Sequence, residues 1–367
     1  MKISNIWRQR SEGLLLADRE RAPQTPLVEL ALPALPSKRL IFKDESAHPT
    51  GSLKHRLARA LLLHGIRKGA INQYTPLFDA SSGNTAISEA WFARMLGLPF
   101  FAVIPEATSQ GKQDLIRHFG GECILIGAGK CCKREAAALA EQHDGYFLDQ
   151  FLNAAPAVDW HANNLVAEMA VQLTALALPE PDWFVAGAGT GGTATCAGRF
   201  FRGRNLRTRL MVVDPEDSAF FDFHARGQHP AGCLCASRVE GIGRPTVEPS
   251  FTVSVVDAMA VIPDAASFAA ARWLSARLRK SVGISTGTNL IGAIHLFNGQ
   301  LAAGAGSIAT LICDDGARYT GRLDDDAWLA AQGFDIAAWG SALDIWYARG
   351  SWQPPDQFSG NRESTVL

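Results

Sequence analysis

The sequence predicts an α/β protein built as two three-layer α/β/α domains with mostly parallel sheets. Three observations point there. Short β-rich apolar runs alternate with longer helical patterns over most of the chain. Several of those runs pass into their helices through turns of Gly, Ser, Thr and Asn. At 367 residues the chain can bury two cores. Such alternation implies strands covered by helices on both faces of a parallel sheet.

Taken in order, residues 53–68 place Leu53, Leu57, Ala60 and Leu61 at amphipathic-helix spacing, and Gly69 supplies the stop. Leu77 to Ala80 reads as a strand. Ser81 to Thr85 is the turn after it, and Ala86 to Leu96 is a helix ended by Gly97. Phe100 to Ile104 is the next strand, closed by Pro105, and a helical stretch then ends at Gly120-Gly121. Cys123 to Ile126 precedes an alanine-rich helix through Glu141. The rhythm returns with strands at Trp183–Ala186, Leu210–Val213 and Ile308–Ile312, and with helices at Ala194–Arg202 and Leu290–Leu301. The two blocks meet near residue 160. From about Gly321 the chain is Trp-containing and then polar, which reads as a C-terminal tail (321–367) packing on the body or on a partner.

Composition excludes several classes of function. Lys+Arg 35 against Asp+Glu 36 gives a formal charge of −1, so no global field recruits nucleic acid or an acidic membrane. Apolar stretches such as Leu96–Pro105 are too short to span a bilayer. Met1 to Arg10 has no apolar core with a small-residue cleavage site, and the expected location is the cytosol. Seven cysteines, an odd number, argue against a disulfide framework. Cys131-Cys132 and Cys233-x-Cys235 lack partners at zinc spacing and read as reduced, partly buried thiols, with no metal site.

Four turns carry candidate chemistry. In His48-Pro49-Thr50-Gly51-Ser52-Leu53-Lys54-His55-Arg56 the lysine falls in the first turn of a helix. The positive end of the helix dipole there disfavours an ammonium and favours the free amine that condenses with a carbonyl. A solvated surface lysine is the alternative. Ser81-Ser82-Gly83-Asn84-Thr85 is either an N-terminal anion site for a carboxylate or a plain helix cap. Gly187-Ala188-Gly189-Thr190-Gly191-Gly192-Thr193 can wrap a phosphate with successive backbone amides. Gly187, Gly189 and Gly192 also satisfy G-x-G-x-x-G, with Asp214 about 20 residues on, which is the dinucleotide fingerprint. A nicotinamide enzyme needs neither Lys54 nor the Ser81–Thr85 turn, whereas pyridoxal 5′-phosphate (PLP) accounts for all three. In Gly283-Ile284-Ser285-Thr286-Gly287-Thr288-Asn289, a fourth turn before a helix, a serine hydroxyl could bond a pyridine nitrogen without protonating it. A further helix cap is the alternative reading there.

In this order and at these separations the turns resemble the fold-type II PLP enzymes, with their tryptophan synthase β-like fold. This is the family of cysteine synthase, cystathionine β-synthase and the serine/threonine dehydratases. The resemblance runs from Thr25-Pro26-Leu27 to Asp315-Gly316-Ala317-Arg318-Tyr319. It implies that Lys54 carries the cofactor as a Schiff base and then acts as general base. It implies that Asn84 bonds the cofactor's 3′-oxygen, that Gly189, Thr190, Gly191, Gly192 and Thr193 bind its phosphate, and that Ser285 meets its ring nitrogen. Ser82 and Thr85, with Ser81 nearby, and Gln150 in Asp149-Gln150-Phe151-x-Asn153 would hold the substrate carboxylate. A small mobile domain (48–160), a large domain (1–47 plus 161–320) and a homodimer are implied as well.

Longer strings look closest to the bacterial L-cysteine desulfhydrases of this family. They are Lys43-Asp44-Glu45-Ser46, Val213-Asp214-Pro215-Glu216-x-Ser218-Ala219-Phe220-Phe221, Arg238-Val239-Glu240-Gly241-Ile242-Gly243-Arg244-Pro245 and Ser285-Thr286-Gly287-Thr288-Asn289. Cysteine synthases usually read Pro-Gly-Gly-Ser-Val-Lys-Asp-Arg at the lysine and carry two serines in the last turn, and this chain departs at both. It also lacks a haem-binding extension and paired regulatory modules. The implied activity is β-elimination of L-cysteine to hydrogen sulfide, pyruvate and ammonia. A β-replacement synthase and a catalytically idle PLP- or amino-acid-binding regulatory protein are the alternatives.

Overall fold

The computed structural model describes residues 2–228, 237–299, 306–355 and 365–366, and Cys233 and Cys235 lie outside them. In chain order, helix α1 (Lys2–Arg21) precedes strands β1 (Leu27–Leu30) and β2 (Arg39–Asp44). Next come α2 (Lys54–Arg67), β3 (Leu77–Asp79), α3 (Asn84–Leu96), β4 (Phe100–Pro105), α4 (Gln110–His118) and β5 (Glu122–Ile126). They are followed by α5 (Cys132–Gln142), β6 (Tyr146–Phe147), α6 (Gln150–Ala157) and α7 (Leu165–Ala175). The second half holds β7 (Trp183–Gly187), α8 (Gly192–Gly203), β8 (Arg209–Pro215), α9 (Phe220–Arg226), β9 (Ala258–Ile262) and α10 (Asp264–Leu278). It ends with α11 (Ile284–Phe297), β10 (Ser307–Ile312), α12 (Asp326–Ala331), α13 (Ile336–Arg349) and β11 (Thr365–Val366).

The chain divides into two compact units. The first comprises Met1–Gln24 and His48–Val158. Its four-stranded sheet, ordered β5-β4-β3-β6, is parallel throughout. Alternate residues serve opposite faces, as the two-residue repeat of a strand requires. Leu77, Ala102 and Ile104 join the core with Leu61, Leu62 and Ala90 of α2 and α3. Phe78, Val103 and Ile126 pack against Ala136 and Ala140 of α5. The first 24 residues therefore depart from the expected large domain of 1–47. Their helix belongs with α2 because Leu15 is fully buried in that core. The Asp18 carboxylate also meets Arg59 at 2.8 Å and His55 at 3.3 Å.

The second unit comprises Thr25–Ala47 and Asp159–Leu367. Its seven-stranded sheet runs β1-β2-β10-β7-β8-β9-β11. The β2-β10-β7-β8-β9 strands are parallel, and β1 and β11 pair antiparallel at the edges. Val185, Met211 and Val213 face a core completed by α10, α11 and α13. On the other face Phe184 meets Phe201 of α8, with ring centroids 5.8 Å apart. In the C-terminal stretch, Trp339 and Trp346 of α13 are buried in the same core as α10, so this part of the tail is body.

One expected boundary is corrected. Residues 284–289 are the start of α11, capped by Gly283, rather than a turn preceding a helix at Leu290. Turn-forming residues become helical here because their polar groups find partners inside the fold. Thr286 Oγ1 accepts from the Cys313 N–H at 3.1 Å, and Thr288 Oγ1 donates to Ser267 Oγ at 2.8 Å. At Gly287 a Cβ would sit 2.0 Å from the Ser267 carbonyl oxygen, so only glycine lets α11 approach α10 this closely.

A buried cation holds β2 to α7. Lys43, fully buried, donates to the Thr25 carbonyl (2.6 Å), Glu168 Oε1 (2.6 Å) and Gln172 Oε1 (2.7 Å). Lys43→Met keeps the length of the side chain but leaves Glu168 without its cation. It is expected to lower the unfolding free energy by about 3 kcal/mol, measured by urea denaturation followed by circular dichroism.

Candidate active site

In the first unit the residues of two predicted turns come together through buried polar side chains. Lys54 is the first residue of α2 and is half-buried, and its backbone N–H donates to Ser52 Oγ at 3.3 Å. The loop before it is held by Thr50. That hydroxyl lies 3.0 Å from His55 Nδ1 and 2.9 Å from Ser88 Oγ. Ser88 Oγ in turn donates to the Asn84 carbonyl at 2.9 Å, so the lysine loop and the Ser81–Thr85 turn share one network. His55 Nε2 lies 3.3 Å from Asp18, which anchors the network to α1. Sequence reading missed Asp18, Thr50, His55 and Ser88. Only His55, adjacent to the lysine and one turn before Arg59 on the same face of α2, carried a signal.

The Ser81–Thr85 turn joins β3 to α3. Gly83 occupies the N-cap position and offers no side-chain cap. Ser81 Oγ takes the capping part, accepting from the N–H groups of Gly83 and Ala86 at 3.4 Å each. Ser82 and Asn84 are half-buried at the same end. Gln150, the first residue of α6, reaches this turn from another element. Its Oε1 accepts from Thr85 Oγ1 at 2.7 Å, and its Nε2 donates to Asp79 Oδ2 at 3.1 Å. Lys54, Ser81, Asn84, Thr85 and Gln150 are thus tied into one side of one unit. The positive end of a helix favours an anion, and an amine on the same unit can supply a nucleophile or base.

The second unit carries Gly189–Thr193 and Ser285. Gly191 caps α8 with φ +81°, a left-handed backbone that glycine adopts without strain. A Cβ at Gly189 would lie 2.2 Å from the Gly241 carbonyl oxygen. The cradle is therefore bare backbone, lined by N–H groups at the positive end of α8, as a phosphate requires. Thr190 Oγ1 accepts from the Gly192 N–H at 3.2 Å and steadies the turn. Ser285 is in the first turn of α11 and 4% exposed. Among the described residues no protein group is seen to bond its hydroxyl, unlike those of Thr286 and Thr288 on the same helix. Strands β7 and β10 are neighbours, and α8 and α11 lie on opposite faces of their sheet. Ligands of open α/β sheets bind in the crevice such a reversal opens at the carboxyl ends of the strands.

The dinucleotide alternative does not survive. Its acidic residue would be Asp214, which has to bond a ribose while ionised. Asp214 is fully buried and accepts instead from the Phe221 N–H at 2.9 Å. Burial pushes its carboxyl up to about 7. The donor set present, an amine, a bare-backbone anion cradle and a buried hydroxyl, fits the carbonyl, phosphate and ring nitrogen of PLP. Among the described residues no cluster could hold a metal ion, and no helix is long and apolar enough to cross a membrane.

Comparison with known proteins agrees with that donor set. The family model for pyridoxal-phosphate dependent enzymes matches residues 20–314. The chain is 48% identical to the L-cysteine desulfhydrase of Mycobacterium tuberculosis over 347 residues, 93% of this chain and 94% of that protein. Among solved structures, O-ureido-L-serine synthase superposes with a TM-score of 0.73 at 27% identity, covering 85% of this chain and 98% of the other. A hydrogen sulfide-producing enzyme superposes with a TM-score of 0.72 at 26% identity, over 85% and 92%. The chain belongs to the family of pyridoxal-phosphate dependent enzymes.

Proposed function

We propose that this protein is a PLP-dependent lyase that converts L-cysteine and water to hydrogen sulfide, pyruvate and ammonia. The observation that carries the reading is the 48% identity to an L-cysteine desulfhydrase along nearly the whole length of both chains. It is supported by the Lys54 amine and the anion-binding start of α3, linked through Thr50 and Ser88.

Lys54 would hold the cofactor, Gly189 to Thr193 its phosphate, Ser285 its ring nitrogen and Asn84 its 3′-oxygen. When bound, the cofactor supplies the electron sink that lets a proton leave Cα and a substituent leave Cβ. The chain does the rest. Ser81, Ser82, Thr85 and Gln150 and the first turn of α3 seat the amino-acid carboxylate and so orient the Cα–H bond. Lys54 Nζ accepts the Cα proton as general base. The Cβ–S bond breaks with its electron pair on sulfur, and sulfide departs with a proton as hydrogen sulfide. Water then cleaves the remaining C–N bond, releasing pyruvate and ammonia.

A hydroxyl at position 285 bonds a ring nitrogen without adding a positive charge, which suits elimination at Cβ. The cytosol and a homodimeric assembly are part of this reading. The free cysteines Cys123, Cys131, Cys132, Cys196 and Cys313 accord with a reducing compartment. The likeness to O-ureido-L-serine synthase favours one competing reading, β-replacement by a second nucleophile.

L-cysteine alone is expected to yield sulfide and pyruvate in equal amounts. Only traces of pyruvate, with a thioether amino acid formed once a second thiol is supplied, would favour the synthase. Lys54→Ala is expected to cut sulfide release by about three orders of magnitude or more, since base and covalent anchor vanish together. Borohydride should fix the cofactor to the peptide carrying Lys54, and label on another lysine would refute the assignment. Gly189→Ala forces the cradle away from Gly241 and is expected to weaken PLP binding about tenfold or more, read by titrating apoprotein with PLP and following visible absorbance.

A further inference from the structure

Two carboxyl groups lie in the interior of the first unit with no part in the chemistry above. Asp79 is the last residue of β3, and Glu89 lies on α3, so the pair spans the two elements that flank the Ser81–Thr85 turn. Both are fully buried. Each carboxyl is close enough to shift the other's proton affinity, so the two are neighbours in the interior. Among the described residues, no N–H or hydroxyl donor reaches Asp79 Oδ1 or either oxygen of Glu89. Two adjacent buried charges without donors are prohibitively costly. The pair therefore holds one proton and one charge. The proton belongs to Glu89, whose acid form is favoured by burial and by the neighbouring aspartate. Asp79 keeps the charge, because of the two it alone accepts a side-chain hydrogen bond, from Gln150 Nε2 at 3.1 Å.

That arrangement has a direction. An ionised Asp79 only accepts, so the Gln150 amide must present Nε2 to it. Oε1 then falls to Thr85, which donates its hydroxyl proton at 2.7 Å. Each link leaves one orientation for the next, from Glu89 through Asp79 and Gln150 to Thr85. An apolar pair of similar volume would generally be at least as stable, so the packing of α3 on β3 does not itself call for two acids.

We propose that Asp79 and Glu89 form a proton-sharing pair that positions Gln150 and Thr85 for the substrate carboxylate. Both act through other groups and are positioning residues. With its hydroxyl proton committed to Gln150, Thr85 serves the carboxylate through its backbone N–H in the first turn of α3. The inference rests on the reading of the Ser81–Thr85 turn as the amino-acid carboxylate site.

Two measurements test it, and neither requires turnover. The first is the infrared spectrum of the apoprotein at pH 7, in which a buried protonated carboxyl gives a C=O stretch apart from the ionised ones. Asp214, also buried and pushed up to about 7, absorbs in the same region, so the Glu89 component is read as the intensity lost between the native protein and Glu89→Gln, a loss the surface variant Glu135→Gln should not show. A Glu89→Gln spectrum that keeps the full native intensity would overturn the shared proton. The second is the affinity of the holoenzyme for L-alanine, which carries the amino-acid carboxylate but no leaving group, read from the cofactor's visible absorbance. Glu89→Leu should weaken it about tenfold, the equivalent of one hydrogen bond. Glu89→Gln, whose amide can donate to Asp79, should restore it to within about twofold. An unchanged affinity in Glu89→Leu, a Glu89→Gln as impaired as Glu89→Leu, or a native enzyme blind to L-alanine would each overturn the positioning role. Should Glu89→Leu fail to fold, Glu89→Met takes its place under the same criteria, and the infrared band and the Glu89→Gln affinity stand by themselves. A native enzyme that binds L-alanine but releases no sulfide from L-cysteine would sink the lyase reading and leave the pair intact.

Discussion

A parallel sheet obliges the chain to cross over between strands, and the crossing helices begin with backbone N–H groups that their own turns cannot satisfy. In this protein the candidate chemistry gathers at those starts. Lys54 opens α2, the Ser81–Thr85 turn opens α3, Gln150 opens α6, Gly191 caps α8 and Ser285 lies in the first turn of α11. The positive end of each helix favours bound anions and a neutral amine over an ammonium. One constraint thus accounts for all the roles proposed above, a phosphate site, a carboxylate site and a nucleophilic lysine.

Buried polar bonding adds to the apolar cores in keeping these starts in place. Thr50 ties the lysine loop to Ser88, and Ser88 ties it to the backbone of Asn84. Asp18 secures His55 from α1. In the second unit Lys43 joins Thr25, Glu168 and Gln172. Hydrogen bonds depend on direction where apolar contacts do not, so a satisfied network sets one arrangement of side chains among several of similar packing. The cost of leaving any member unpaired keeps the arrangement intact.

Much of the architecture was legible from residue patterns because it follows from local rules. The start of α2 at Lys54, and the left-handed Gly69 and Gly97 beyond the ends of α2 and α3, follow from helix periodicity and cap chemistry. Strands β4, β7 and β10 follow from short apolar runs that need cover on both faces. The reading failed where distant residues decide. Residues 283–289 have turn composition, yet 284–289 are helical, with the hydroxyls of Thr286 and Thr288 satisfied by Cys313 and Ser267. Asp214 completes a dinucleotide fingerprint by spacing, yet folding buries it against the Phe221 N–H.

By itself the sequence determined the α/β class, the strand–helix alternation over residues 53–141 and 183–213, and the residue types at the predicted helix starts. These depend on neighbours within a few positions, whose periodicity and turn chemistry are printed along the chain. Tertiary structure alone decided that α1 packs with α2 and α3, that His55 and Ser88 share Thr50, and that Gln150 lies between Asp79 and Thr85. Those pairings span up to 71 residues. No local rule reports them, because a buried polar group's partner is set by which elements pack together and not by which residues adjoin it.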